Sequence, residues 1–312
     1  MDSHSGIGVP WDFFRTVMKV LLGLLFIFSA LLKIVDMDPF EIYVYSYRFF
    51  SLNLSLIVAR LAIILELVLG VGLVLNCFHK LFWWGSVLML LGYTGLMAYA
   101  MVLGRTDNCH CFGDLMQLDP LRSLLKNLVL LLLFVFLYPM KGRSFRGQWV
   151  TLAGVTLAAF LGVFLVSPPD TFTYDSDPEQ VLQRPLFEAA MHEAPLASLG
   201  LDQGKKVVGL FSSSCDYCRL AARKISLMQR FYGFPEQDVF FVFMGDEEGV
   251  ARFFAESEST RYAAVIYEDA LSFLKMVDGK FPLVLLLQDG SVVHEYGLRN
   301  MDEEEIKIFF QK

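Results

Sequence analysis

The sequence has little cysteine and no excess of positive charge, and each shortage excludes a class of protein. Five cysteines in 312 residues are too few for a disulfide-stapled secreted scaffold. With 26 basic against 33 acidic residues the net charge is -7. That leaves no basic face for phosphates and argues against nucleic acid as a partner. No internal repeat or low-complexity tract is visible. Nor does a second Cys-x-x-Cys or a His pair lie close enough to the first to complete a zinc site, so no metal is expected there. The first apolar run lacks a small-residue cleavage site and reads as an uncleaved signal anchor.

Apolar residues are abundant instead: 55% of the chain is hydrophobic, with 29 Phe and a mean hydropathy of +0.50. The apolar runs precede residue 167 and most carboxylates follow it, which predicts a multi-span helical membrane bundle before an acidic soluble domain. Five runs approach the ~20 residues of a membrane-spanning helix: Val17–Val35, Leu54–Leu75, Phe82–Val102, Leu121–Tyr138 and Trp149–Val166. The last two are short, so the expectation is four to five spans. Arg15 and Lys19, His79 and Lys80, and Lys141, Arg143 and Arg146 fall on one side. By the positive-inside rule that side is the cytoplasm, with Trp83, Trp84, Tyr138 and Trp149 forming an interfacial belt. Five spans then put the C-terminal part outside, together with the loop Thr106–Asp114. Phe40, Tyr43, Tyr47 and Phe50 recur at helical spacing, either along the membrane surface or as a packing stripe. The expected domains are 1–140 and a fifth helix in 141–166, then a linker or stalk in 167–204 and a soluble domain in 205–312.

Two cysteine pairs carry the chemistry. Cys215-Asp216-Tyr217-Cys218 follows an apolar strand, Val207–Phe211, and precedes a helical pattern. A two-residue spacer lets a redox disulfide span the first helical turn. The free N–H groups there favour the Cys215 thiolate as nucleophile, with Cys218 resolving the mixed disulfide. Strands at Val239–Met244, Pro282–Gln288 and Ser291–Tyr296, with helices between and after them, give an α/β layer.

From these elements the segment Lys205–Lys312 resembles a thioredoxin-like domain. The resemblance implies that Pro282, after Gly279-Lys-Phe, is the cis proline beside the cysteines. It departs from the common motif in lacking Trp before Cys215 and in its Asp-Tyr spacer. The Asp216 carboxylate is expected to raise the Cys215 pKa and make the disulfide less oxidising.

The second pair is Cys109-His110-Cys111. Cysteines two apart can close a small, strained disulfide suited to a relay. A metal site using His110 and two unpaired thiols stay open as alternatives, and His110 is also a candidate for proton transfer. Cys77 has no evident partner. With Phe28-Ser-Ala-Leu-Leu-Lys33, Glu66-Leu-Val-Leu-Gly70 and Asn127, the Cys-His-Cys-Phe-Gly-Asp loop resembles the DoxX/MauE group over Phe14–Tyr138, His110 replacing the usual glycine. The resemblance implies an inner-membrane redox accessory protein, here fused to its thioredoxin-like companion. Nothing in the chain points to methylamine dehydrogenase as client.

Lys33, Arg60, Glu66, Lys126 and Asn127 fall inside spans, where ionisable groups are costly and often functional. Two readings stay open. One is a cluster supporting the Cys109/Cys111 thiolate or a quinone head group. The other is snorkelling cations with Glu66 paired to Arg60.

The expected function is a membrane-bound thiol–disulfide oxidoreductase. Its partners are periplasmic clients with thiols or disulfides, the lipid bilayer, and a quinone or membrane redox protein. No cofactor is certain from the sequence, and a quinone is the candidate. The alternative is an assembly factor that binds a partner and reshuffles its disulfides without a relay.

Overall fold

The computed structural model describes residues 11–76, 78–105, 119–138, 146–170 and 181–311. Cys77, Cys109, His110 and Cys111 lie outside the described residues, as do Lys141 and Arg143. The chain divides into two compact units, Met1–Val44 with Leu56–Pro168, and Tyr45–Ser55 with Pro169–Lys312.

The first unit is helical: α1 Trp11–Val35, α2 Met37–Tyr45, whose last residue falls in the second unit, α3 Leu52–Leu75, whose first four residues do, α4 His79–Val102, α5 Pro120–Leu137 and α6 Gln148–Val166. Among the described residues four helices, α1, α3, α4 and α6, are long and apolar enough to cross a membrane. The chain is therefore a multi-pass membrane protein. The expected fourth span, α5, has 18 residues, about 27 Å at 1.5 Å per residue, against a hydrocarbon core of about 30 Å. Its start is built by Asp119, whose side chain accepts from Arg122 N–H at 2.7 Å, with Pro120 in the first turn.

Leu22, Phe26, Leu69, Leu73, Trp83 and Phe134 share one buried cluster. Trp83 donates its indole N–H to Phe134 O at 3.1 Å, so this tryptophan of the expected belt is a packing residue. Trp84, Tyr138 and Trp149 are exposed. At Gly23 and Gly70 the α1 and α3 backbones come so close that a Cβ on either would lie within 2.8 Å of the other's carbonyl oxygen. In the segment after α1, Phe40, Tyr43 and Tyr47 are buried while Phe50 is exposed. That is a packing stripe rather than a surface-lying face.

The second unit is an α/β layer. Its sheet strands are β1 Lys205–Ser212, β2 Val239–Met244, β3 Ala263–Ile266, β4 Leu283–Gln288 and β5 Ser291–Tyr296. Their order is β3-β2-β1-β4-β5. β1, β2 and β3 run parallel, joined by α8 Asp216–Tyr232 and α9 Glu247–Ser257. β4 and β5 run antiparallel to their neighbours. The hairpin turn is Asp289-Gly290, both at positive φ, as a two-residue loop demands.

β1 is central and buried on both faces, which is why it reads as an unbroken apolar run. Val208 and Leu210 join one core with Leu285 and Leu287. Phe211 lies on the other side of the pleat, against Phe241 and Phe253.

Residues 181–204, expected as part of a stalk, are built into this domain. α7 Arg184–Met191 and the turn Leu196–Leu199 bury Leu182, Phe187 and Leu196 in the same core as Val208. Glu295, itself buried, accepts from Leu182 N–H at 3.2 Å and pairs with Arg184. The remaining helices are α10 Ala270–Met276 and α11 Glu303–Gln311.

Candidate functional site

The Cys215–Cys218 pair sits where β1 ends and α8 begins. β1 stops at Ser212, Cys215 N–H donates to Ser212 O at 3.2 Å, and Cys215 is the N-cap of α8. An extended residue at this place turns its side chain back over the first free N–H groups of the helix. Here the capping atom is sulfur: Cys215 Sγ accepts from Cys218 N–H at 3.2 Å. The two cysteines are unbridged, Cys215 half-buried and Cys218 fully buried.

The environments of the two thiols push them apart. Cys215 is lowered to about 7, first by the hydrogen bond from the Cys218 side chain and then by the N–H groups of Cys218 and Tyr217; burial opposes. Asp216 also opposes, but as the smallest influence. Its side chain is 84% exposed and ion-paired with Arg219, so most of its field is met by water and a cation. Asp216 therefore acts in the expected direction, raising the Cys215 pKa, and is outweighed by the hydrogen bond from the Cys218 side chain and then by the N–H groups of Cys218 and Tyr217. Burial pushes the Cys218 thiol well above the ordinary range, with Cys215 as the next cause.

Pro282 is brought to the same end of the sheet. The antiparallel register pairs Leu210 with Leu283, so Pro282 falls beside the last residues of β1, and the Phe281–Pro282 bond is cis. Tyr217, between the cysteines, is exposed.

In the helical unit, Lys33, Glu66, Lys126 and Asn127 line one cavity of about 30 Å³ with Ser29, Tyr93, Phe26 and Leu130. That is room for a water or two. Lys33 Nζ pairs with Glu66 at 2.5 Å and donates to Ser29 at 3.1 Å. Asn127 is buried, and its Nδ2 has no hydrogen-bond partner among the described residues.

Arg60 does not belong to this group. It pairs with Glu41 at 2.6 Å and donates to the carbonyls of Leu56, Ser167 and Pro168. The snorkelling reading is therefore corrected on two counts. Lys33 and Arg60 are 2% and 1% exposed, and the partner of Glu66 is Lys33. Ser29, Glu41 and Tyr93 were missed in the sequence. Only Ser29 carried a signal there, lying one helical turn before Lys33.

Comparison with known proteins gave the following matches. The family described as Methylamine utilisation protein MauE matches residues 12–140. Protein TlpB of Flavobacterium psychrophilum is 26% identical over 302 residues, covering 80% of this chain and 82% of that protein. The thioredoxin domain of a thiol-disulfide oxidoreductase from Bacteroides vulgatus, a crystal structure, matches 35% of this chain and 81% of its own at 17% identity and a TM-score of 0.30. The chain thus joins a MauE-like membrane domain to a C-terminal thioredoxin-like domain.

Proposed function

We propose that this protein is a membrane-bound thiol–disulfide oxidoreductase acting through Cys215 and Cys218. The observation that carries the reading is the asymmetry of the pair: a half-buried sulfur capping a helix N-terminus beside a fully buried one. In the reducing direction, the Cys215 thiolate attacks a client disulfide, forming a mixed disulfide as one client sulfur leaves as thiolate. Cys218 loses its proton and attacks Cys215 Sγ. The Cys215–Cys218 disulfide forms, the second client sulfur leaves, and two electrons have passed to the client. Oxidation of a client dithiol runs through the same steps in reverse. Pro282, at the same end of the sheet, borders the client's approach.

Cys109 and Cys111 are the second half of the proposed relay, regenerating Cys215/Cys218 by the same exchange. His110 is the candidate proton carrier for that step. When a client is oxidised, Cys109/Cys111 pass the two electrons on to a quinone or to another membrane redox protein; when a client is reduced, the quinol or the reduced membrane protein supplies them. We assign the chain to the inner membrane with the thioredoxin-like domain on the periplasmic face. Support comes from Arg15, Lys19, His79, Lys80 and Arg146 at one set of helix ends. The packing of α5 through the bundle, from Asn127 beside Glu66 to Phe134 at Trp83, supports a fifth crossing.

The test is a Cys109→Ser/Cys218→Ala protein in membranes, which leaves Cys111 and Cys215 as the attacking members. Treated with diamide, a two-electron oxidant that takes the place of the missing partner cysteines, it is expected to give a Cys111–Cys215 disulfide that reductant cleaves. If the two never cross-link while clients still bind, the assembly-factor alternative replaces the relay.

A further inference from the structure

Cys215 is the second residue after Ser213, and Ser213 is held unusually closely. Its N–H donates to Met244 O at 3.0 Å, where β1 and β2 end side by side. Its side chain then faces two glycines across the start of α9. A Cβ on Gly245 would lie 2.1 Å from Ser213 Oγ and 2.8 Å from its Cβ; one on Gly249 would lie 2.7 Å and 3.1 Å from them. A Cβ on Gly249 would also come within 2.8 Å of Asp246 Oδ1, which caps α9 by accepting from Gly249 N–H. Gly245 has φ +149°, which favours glycine by itself. Gly249 lies in the first turn of a helix, where alanine is the better helix former. Its missing side chain therefore calls for a different reason, and the nearest atoms supply one.

We propose that Gly249, Gly245 and Ser213 act as a positioning clamp for the reactive cysteine, the bare helix start seating Ser213 so that Cys215 Sγ rests on the Cys218 N–H. The inference builds on the reading of Cys215 as the attacking thiol. The link is short: Ser212 O accepts from Cys215 N–H and Ser213 N–H is tied to β2, so a shift of a few tenths of an ångström at Ser213 passes into the N-cap. Since the hydrogen bonds from the Cys218 side chain and then from the Cys218 and Tyr217 N–H groups are what lower Cys215, such a shift should weaken them.

The experiment is iodoacetamide alkylation of Cys215 against pH in the full-length protein and its Gly249→Ala and Ser213→Gly/Gly249→Ala variants. With Gly249→Ala the midpoint should rise by about one pH unit, cutting the rate at pH 7 roughly fivefold as the thiolate fraction falls from about a half to about a tenth. Ser213→Gly removes the atoms in the way and should restore the midpoint to about 7. The same holds if Gly249→Ala alone is too unstable to purify: recovery of a protein with that midpoint in the double variant supports the clamp. An unchanged midpoint in Gly249→Ala overturns it, as does a defect that Ser213→Gly fails to reverse. Alkylation reads the thiol itself, so the clamp can fail while disulfide exchange stands, and exchange can fail while the clamp stands.

Discussion

Replacing Cys218 with alanine is expected to leave Cys215 covalently joined to client proteins and to cut turnover by about a thousandfold or more. The estimate follows from proximity. Well-oriented neighbouring groups react at effective molarities on the order of 10⁵ M, and Cys218 lies one helical turn from the sulfur it must attack. A few millimolar of external thiol replaces only a small part of that advantage, so the mixed disulfide outlives its formation. Burial is the main cause that holds the Cys218 proton in the resting pair, and the Cys215 thiolate adds to it through its hydrogen bond and charge. The two influences of Cys215 disappear once it is bound to a client, so Cys218 loses its proton more readily at the moment it is needed. Non-reducing electrophoresis of membranes carrying Cys218→Ala should show adducts that reductant dissolves. Cys215→Ser/Cys218→Ala should show none. Adducts that persist in that double variant would mean another cysteine carries the chemistry.

Glu66→Gln should be the most destabilising single change in the helical unit, at about 3–5 kcal/mol. Lys33 is 2% exposed, and its ammonium pairs with Glu66 and donates to Ser29. Neutralising Glu66 leaves a buried cation with the Ser29 hydroxyl and the ring faces of Phe40 and Tyr93 but no counter-charge at its ammonium, in a bundle where water is scarce. Removing both charges, as in Lys33→Met/Glu66→Leu, should recover most of the loss, because replacing a buried pair by apolar side chains of similar size is often near neutral. Denaturant unfolding in detergent micelles measures both. Similar losses in the single and double variants would indicate that the helices depend on packing at these positions and not on the pairing. If the double variant is stable yet blocks client turnover, the Lys33–Glu66–Asn127 cavity belongs to the electron path.

Much of the cysteine site could be read in the sequence, because its determinants are local. An apolar strand, a two-residue spacer and a helical pattern are contiguous; Pro282, far off in the chain, was pointed to by the thioredoxin-like resemblance alone. The balance of fields on Cys215 was not readable. Asp216 is adjacent in sequence, whereas the Cys218 side chain and the N–H groups that oppose it are weighed only once the helix brings them to Cys215 and the carboxylate is seen to face solvent beside Arg219.

The ion pairs of the helical unit were assigned wrongly for a geometric reason. Arg60 and Glu66 are six residues apart, which puts them on different sides of α3. Each finds its partner on another helix, Glu41 or Lys33. β3 escaped notice as a four-residue edge strand beginning with two alanines. The polar stretch before β1 hid its core residues because Leu182, Phe187 and Leu196 are spaced too irregularly to show a period.

The asymmetry of the Cys215–Cys218 pair is the central claim, and the alkylation rate of each thiol as a function of pH in the reduced full-length protein tests it most directly. Cys215 should react with a midpoint of about 7, while Cys218 stays unmodified until the protein is unfolded. Equal reaction of both thiols, with a common midpoint at the ordinary value of about 8.5, would contradict the account.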